Sequence, residues 1–358
     1  MKKKLKNCRN GNNETLLMND GDEDGKKGGK MAAENYYSKD FEWEQLKLDV
    51  ENDPSLLHHH LAPNPNPAIR TQEDLHHPSS SPSAFPEDDS EAWNKFHTRH
   101  STGRFFKERR YLLKEFPELA SCNEGSIVLE VGCGNGSTVL PILRGNQSIV
   151  LYACDCSCEA VERTKENIIA ANLASAEHCF NLFQWDFSSN MCPQWLICSS
   201  CRENSIVKQC AFSSDSNSAG KIYSPNPSRL EGKPCCIGGV DFLTLIFTLS
   251  ALPIHRMRMA IRECFYALRQ GGLLLFRDYG LYDMTMLRFE PEQRVGFREY
   301  MRPDGTRSYF FCLNSVRDLF CSVGFAEIEL EYCCITSVNR RNGKRMKRVW
   351  VHGKFGRP

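Results

Sequence analysis

The chain of 358 residues lacks any long uninterrupted apolar run. Its longest apolar stretch, residues 240–252, is interrupted by polar residues and is shorter than the roughly 20 residues that a membrane span requires. No secretory signal is recognisable either, because the basic start Met1–Lys4 is not followed by an apolar segment. We therefore predict no membrane span and a cytoplasmic protein, with a nuclear or mitochondrial location left open.

A large excess of one charge is also missing, since the net charge is +1. The two signs are nevertheless unevenly distributed: residues 1–90 carry 11 Lys and Arg against 17 Asp and Glu, and the rest is basic. A basic body favours a polyanionic partner. The 18 cysteines are many for this length, and without a secretory signal we interpret them as reduced thiols.

Composition divides the chain into three parts. Residues 1–90 are rich in Gly, Asn, Ser and Pro, so we predict a largely disordered acidic tail in which only one island docks, residues 36–48 with Phe41 and Trp43. Aromatic residues at helical spacing predict a helical cap over 91–125. From residue 126 apolar strands alternate with helices, apart from a Ser/Cys-rich insertion at about 189–238 that interrupts them.

Strands that alternate with helices predict a doubly wound, mostly parallel α/β sheet over residues 126–358. The last two predicted strands flank Asn342-Gly343, a hairpin turn signal, so the sheet should end in an antiparallel hairpin. The sharpest local feature is the segment LEVGCGNG at 129–136, between the first strand and its helix. Glycines there let the backbone turn sharply and approach a ligand closely.

Two acidic residues follow the next two strands. Asp155 ends the second strand, where a carboxylate can bind ribose hydroxyls, and Asp186 follows the third strand beside Phe187, which could stack on an adenine ring. Glu130, just before the glycines, would oppose a pyrophosphate but suits a cationic ligand. The pattern favours a nucleoside with a positive centre, and S-adenosylmethionine fits; alternatively, each aspartate merely caps a helix.

Further segments are similar to the methyltransferase-like family that forms 3-methylcytidine in tRNA, over residues 91–358 apart from the insertion. The most specific are FRDYGLYD at 276–283 and RPDGTRSYFF at 302–311. The others are WNKFH at 93–97, FFKER at 105–109, LEVGCGNG at 129–136, YACD at 152–155 and LIFTLSA at 245–251. The resemblance implies a class I, Rossmann-like methyltransferase fold with a seven-stranded sheet.

The resemblance also implies roles for individual positions. It places a methyl donor against a set of cofactor-binding residues, with His97 standing where the family usually has Tyr: Trp93, His97, Gly132, Gly134, Asp155, Asp186, Phe187 and Ile246. On the substrate side, Asp278 and Tyr279 are expected to position the cytosine. Contacts with tRNA are expected from the basic residues Lys107, Arg109, Arg302, Arg307, Arg340, Arg341 and Arg345.

Three alternatives and one expected absence complete the prediction. A class I enzyme acting on protein or a small molecule, and a non-catalytic tRNA-binding module, stay open, as does a required partner such as a tRNA synthetase or another RNA-binding protein. We predict no metal site. Cys198 and Cys201 have zinc-like spacing, but no second CxxC pair follows, and Cys235 and Cys236 are adjacent.

Overall fold

The core of the protein is a seven-stranded sheet. The computed structural model of the chain describes residues 39–61, 89–100, 107–173, 180–203, 235–338 and 343–358. Its strands follow the order β3-β2-β1-β4-β5-β10-β9, and β10 alone runs antiparallel to its neighbours. Their bounds are β1 Ile127–Val131, β2 Val150–Asp155, β3 Phe180–Gln184, β4 Val240–Ile246, β5 Leu268–Tyr279, β9 Ala326–Val338 and β10 Arg345–Gly356. The prediction of a mostly parallel sheet with an antiparallel terminal hairpin is confirmed.

Helices cover the sheet, and apolar residues of the helices and strands form the core. The helix Cys158–Ala170 begins with a capping hydrogen bond, in which the Ser157 hydroxyl accepts the amide of Ala160. The helices are α1 Trp43–Glu51, α2 Leu57–His60, α3 Asp89–Arg99, α4 Leu112–Glu115, α5 Glu118–Ser121, α6 Val139–Gly145, α7 Cys158–Ala170, α8 Ile254–Ala267 and α9 Leu313–Cys321, with 3-10 turns at Pro54–Leu56, Leu249–Ala251, Met286–Arg288 and Pro291–Gln293. None of the helices described is long and apolar enough to span a bilayer.

A second, three-stranded antiparallel sheet extends the fold beyond the end of β5. It consists of β6 Arg294–Gly296, β7 Glu299–Met301 and β8 Arg307–Tyr309. The residue after β5, Gly280, forms a single parallel bridge to Phe311 just after β8, which joins this small sheet to the large one. The RDYG and DGTRSYFF segments are thereby brought side by side.

Residues 39–61 differ from the predicted disorder, because they pack on the C-terminal half. Leu46 and Val50 are buried against a cluster that includes Met286 and Tyr300. Trp43 stacks on Tyr332 with ring centroids 4.6 Å apart. The sequence marked the segment up to residue 48 as one that docks, but its partners lie more than 230 residues later, so local composition gave no sign of what it packs on. Residues 1–38 and 62–88 lie outside the described part of the chain, and the predicted boundary between residues 90 and 91 falls within α3.

The borders of the predicted insertion are also folded. Cys192, Leu196 and Ile197 are buried in the main core, and the amides of Ile237 and Gly239 donate to the carbonyls of Trp195 and Leu196. The Ser- and Cys-rich composition hid these few apolar anchors. Residues 204–234 lie outside the described part of the chain.

A buried charged cluster joins α4 to the sheet. Glu115 is fully buried, accepts a hydrogen bond from the guanidinium of Arg277 on β5, and lies 3.0 Å from Nδ1 of His352 on β10. Burial raises the pKa of Glu115, but Arg277 and His352 outweigh it and hold the pKa below its ordinary value. The carboxylate is therefore ionised at neutral pH and balances a buried cation.

Replacing Glu115 with alanine should strongly destabilise the fold, because Arg277 would stay buried without its carboxylate. We expect a loss of about 3–5 kcal/mol in the free energy of unfolding, measured by chemical denaturation. Glu124→Ala, at an exposed position, is the matched control and should change stability little. Equal effects of the two substitutions would show that the buried pair contributes nothing.

Candidate functional site

A cavity of about 250 Å³ opens at the carboxyl edge of the parallel strands. This edge is where open α/β sheets bind their ligands. Most residues predicted from the sequence meet there: Trp93, His97, Arg109, Gly132, Gly134, Asp155, Asp186, Phe187, Ile246, Tyr279, Arg302 and Arg307 all line the cavity. The cavity is thus formed jointly by the large sheet, the small sheet and α3.

The glycine loop after β1 requires its glycines. Gly132, Gly134 and Gly136 all have positive φ values, of 76°, 53° and 80°, a region that other residues rarely adopt. A Cβ at Gly132 would also collide with the side chain of Thr248, which follows β4. The loop therefore brings bare backbone to the cavity wall, at the end of β1.

Asp155 fixes this loop from the neighbouring strand. Its Oδ2 accepts the Gly134 amide at 3.0 Å, and its Oδ1 accepts the Ser157 amide at the start of α7. The residue is 7% exposed and faces the cavity. Each carboxylate oxygen has further lone-pair capacity, so the group could also accept hydrogen bonds from a ligand's hydroxyl groups.

The far end of the cavity combines a carboxylate with an aromatic ring. Asp186 accepts from both the amide and the hydroxyl of Ser188 through Oδ1, a local turn that fixes its side chain. Phe187 is buried beside Trp185, with ring centroids 6.1 Å apart. An acceptor next to an apolar ring is suited to a flat heterocycle that bears an amino group.

Glu130 does not act on the cavity as the sequence suggested. It is 1% exposed, does not line the cavity, and its Oε2 has no hydrogen-bond partner among the residues described. Burial raises its pKa to about 8, against the opposing influence of Arg109 and Thr138. The side chain is therefore mainly protonated at neutral pH and offers little charge to a cationic ligand.

The helix α3 forms a lid over the loop. Trp93 and His97 face the cavity, and Nδ1 of His97 lies 3.2 Å from the Asn135 side-chain oxygen. Arg307 on β8 ties the start of this helix down, since its Nε donates to Asp89 at 2.9 Å and its Nη1 to Glu299 at 3.0 Å. Arg307 is thus held in a buried ion-pair network at the cavity wall, and its contact with tRNA stays a prediction.

The ends of β4 and β5 supply a wall that includes residues the sequence analysis missed. Ile246 lines the cavity, followed by Phe247, which has a strained positive φ of 53°. The Phe247 ring lies 5.2 Å from that of Tyr279 and also 5.2 Å from the Arg109 guanidinium carbon. Arg109 thus belongs to the cavity wall. The sequence around Ile246 and Phe247 gave no sign that Phe247 contacts Arg109.

Asp278 and Tyr279 face opposite ways. Tyr279 lines the cavity, whereas Asp278 is fully buried and accepts the amides of Ser250 and Tyr279 at 2.9 and 2.8 Å. Side chains alternate between the two faces of a strand, and here the Asp278 side chain is turned into the protein while Tyr279 faces the cavity. The expected direct contact of Asp278 with a substrate is therefore not what the structure shows.

The remaining predicted basic residues are spread out. Arg302 lines the mouth of the cavity and donates to the Arg307 carbonyl at 3.1 Å. Lys107 is partly exposed, and Arg345 is exposed at the start of β10. Neither lines the cavity. Arg340 and Arg341 lie outside the described residues.

Four cysteines that we did not expect to form a site lie together. The Sγ atoms of Cys198, Cys201, Cys235 and Cys236 are all within 4.8 Å of one another. The prediction of no metal site rested on the missing second CxxC pair. The structure contradicts that reasoning, because the fold brings Cys235 and Cys236 next to Cys198 and Cys201 in space.

The cavity fits S-adenosylmethionine chemically. Bare glycine backbone suits a close approach of the ligand's chain, Asp155 offers acceptors for ribose hydroxyls, and Phe187 with Asp186 suits an adenine. Arg109, a cationic wall residue, has its guanidinium over the Phe247 ring and 3.5 Å from the Thr138 hydroxyl.

Comparisons with known proteins agree with this chemistry. A family model described as a methyltransferase domain matches residues 105–330. The chain is 33% identical over 270 residues to human tRNA N(3)-cytidine methyltransferase METTL6, covering 74% of this chain and 79% of that protein. It is 31% identical over 282 residues to Drosophila melanogaster tRNA N(3)-methylcytidine methyltransferase Mettl2, covering 76% and 73%.

Among solved structures, a SAM-dependent methyltransferase from Anabaena variabilis aligns with 75% of this chain and 95% of its own chain. The sequence identity is 11% and the TM-score 0.48. The fold itself is defined by the strand order of the seven-stranded sheet.

The raised pKa of Glu130 predicts a distinctive pH dependence of stability. The folded state holds a proton up to about pH 8, whereas the unfolded chain loses it near 4.5, so stability should fall as pH rises across this window. The slope is at most about 1.4 kcal/mol per pH unit. Glu130→Gln has no proton to lose and should flatten this part of the profile.

Chemical denaturation at several values between pH 5 and 8 checks this expectation. Relative to the wild type, Glu130→Gln should gain stability as the pH rises, while the exposed control Glu124→Gln should run parallel to the wild type. Parallel curves for Glu130→Gln would contradict a protonated, buried Glu130.

Proposed function

The chain belongs to the family of tRNA N(3)-cytidine methyltransferases, and we propose that it methylates N3 of a cytidine in tRNA with S-adenosylmethionine as the donor. The observation that carries this proposal is one cavity in which the glycine loop and two acidic strand ends meet an aromatic wall from β4 and β5. The first set suits a nucleoside donor, and the second suits a flat base. Both reactants thereby meet at one sheet edge.

On the donor side, we assign each residue by its place in the cavity. Asp155 accepts from the ribose hydroxyls, while Asp186 and Phe187 bind the adenine and Ile246 packs against the ligand. Gly132 and Gly134 leave room for the amino-acid portion, and Trp93 and His97 close over it from α3. S-adenosylmethionine supplies an electrophilic methyl group on a sulfonium centre.

The reaction requires little acid–base catalysis from the protein. Cytosine N3 carries a free lone pair at neutral pH, so no base has to remove a proton before it attacks the methyl carbon in line with the sulfur. The sulfur leaves with the bonding pair, and the methylated ring carries the positive charge. Catalysis then depends mainly on holding the two reactants in line and excluding water.

The N3 atom lies on the Watson–Crick edge, so the base must be unpaired when it enters. An anticodon loop offers such a base, and we propose position 32 as the target. Tyr279 and Phe247 form an aromatic wall on which the ring can stack. Asp278 acts as a positioning residue, because it fixes the backbone of Tyr279 and of Ser250, which lines the cavity.

The rest of the tRNA would be held by cations outside the cavity. Arg302 lies at the mouth, while Lys107 and Arg345 are accessible farther out. We propose that these residues, together with Arg340 and Arg341 in the terminal hairpin, contact phosphates, which makes binding sensitive to salt. We further propose action in the cytoplasm and tRNA selection aided by a partner such as a tRNA synthetase.

A direct test measures methyl transfer from S-adenosylmethionine into tRNA, followed by mass spectrometry of the nucleosides. We expect 3-methylcytidine in cytidine-32 tRNA, formed faster when a synthetase is added, and none in a matched transcript with uridine at that position. Labelled protein or small molecules instead of RNA would contradict the assigned substrate. Donor binding without any transfer would favour a tRNA-binding module.

Asp155→Ala should remove donor binding, because it deletes the ribose acceptor and releases the Gly134 amide. We expect affinity for S-adenosylmethionine to fall by at least about 100-fold, consistent with losing two charge-assisted hydrogen bonds of 1.5–3 kcal/mol each. Calorimetry measures this, with the exposed Asp318→Ala as the control. Unchanged affinity in Asp155→Ala would contradict the assigned pocket.

A further inference from the structure

Four cysteine side chains meet at the base of the insertion. Cys198 and Cys201 lie at the beginning of a short helical stretch, residues 199–203, and Cys235 and Cys236 return from the far end of the insertion. The Sγ atoms of Cys198 and Cys201 each lie 3.5 Å from that of Cys235. That of Cys236 lies 3.8 Å from Cys201 and 3.9 Å from Cys235.

These separations match a metal tetrahedron better than a disulfide. Zinc binds thiolates at about 2.3 Å, and a tetrahedron of that radius has edges of about 3.8 Å. A disulfide would bring two sulfurs to about 2.05 Å. All four cysteines have free thiols in the structure. Four sulfur atoms that all lie within 4.8 Å of one another can supply every ligand of a tetrahedral ion.

Contacts of the described residues hold the two cysteine pairs in place. Backbone hydrogen bonds of 3.0 and 3.1 Å join Ile237 to Trp195 and Gly239 to Leu196. Arg202, next to Cys201, forms two hydrogen bonds of 2.7 and 2.6 Å to the buried Glu263 of α8. The Arg202 guanidinium also stacks 3.9 Å from the centre of the Tyr266 ring.

We propose that Cys198, Cys201, Cys235 and Cys236 bind one structural Zn²⁺ ion. Tetrahedral all-sulfur sites in proteins are typical of zinc or of iron–sulfur clusters, and a closed four-ligand site with no open position suits a structural role. The thiols release their protons to solvent on binding, and no electron transfer is involved. The ion takes no part in the bond changes of the proposed methyl transfer.

The ion would close the insertion at its base. Residues 202–234 run between the two ligand pairs, and fixing their ends removes conformational freedom from the unfolded chain. The same base supports the donor cavity, since Trp195 packs on Phe183 of β3, with ring centroids 5.0 Å apart, and β3 leads directly into Asp186 and Phe187. Zinc would thus stabilise the wall proposed for adenine without touching the reactants.

Metal analysis of the untagged full chain, purified under reducing conditions, tests the proposal. We expect about one zinc per chain, and X-ray absorption at the zinc edge should report four sulfur neighbours near 2.3 Å. Cobalt added after removal of zinc by a chelator should give the charge-transfer and intense visible bands of tetrahedral thiolate coordination. These measurements use the wild-type chain and do not depend on a variant that folds.

Variants assign the ligands. Cys198→Ser and Cys236→Ser should each weaken zinc binding by at least about 100-fold, whereas the exposed Cys321→Ser and the insertion variant Cys210→Ser should keep it. The proposal is overturned by a chain without zinc or cobalt binding, by bound iron and sulfide, by zinc with nitrogen or oxygen ligands, or by binding that depends on Cys210. Loss of methyl transfer alone would leave these readouts unchanged and would bear only on the catalytic assignment.

Discussion

The glycine loop after β1 is the constraint on which the site depends. Gly132 has no room for a side chain against Thr248, and the amide of Gly134 is bound by Asp155 from the next strand. The loop is thereby fixed between the ends of β4 and β2, before any ligand arrives. Because the same carboxylate is the proposed ribose acceptor, the shape of the loop and the binding of the donor rest on one side chain.

Much of the fold and the donor side of the site followed from local sequence. Apolar runs separated by helical segments gave the parallel strands, and the Asn342-Gly343 signal gave the antiparallel hairpin. Gly132, Asp155 and Phe187 were identifiable because parallel strands end at one edge, so residues a few positions past each strand must meet there. The place of such a residue is determined by the backbone of the few residues that precede it.

The rest depends on contacts that no local pattern encodes. Asp278 was assigned to the substrate, but strand alternation turns it away from the cavity and leaves Tyr279 there. Arg307 was assigned to RNA, but its guanidinium donates a hydrogen bond to Asp89, which lies more than 200 residues earlier in the chain. Cysteine spacing argued against a metal, whereas the fold brings together Cys201 and Cys235, which are 34 positions apart in sequence. Charge and spacing identify candidates, and only packing decides their partners.

The most direct measurement is a crystal structure of the chain with S-adenosylhomocysteine, the product of methyl transfer. The account predicts the adenine beside Phe187 and Asp186, the ribose hydroxyls within hydrogen-bond distance of Asp155, and the sulfur facing the aromatic wall formed by Phe247 and Tyr279. A ligand bound elsewhere, or one whose sulfur points away from that wall, would contradict the central claim that donor and base meet at this edge of the sheet.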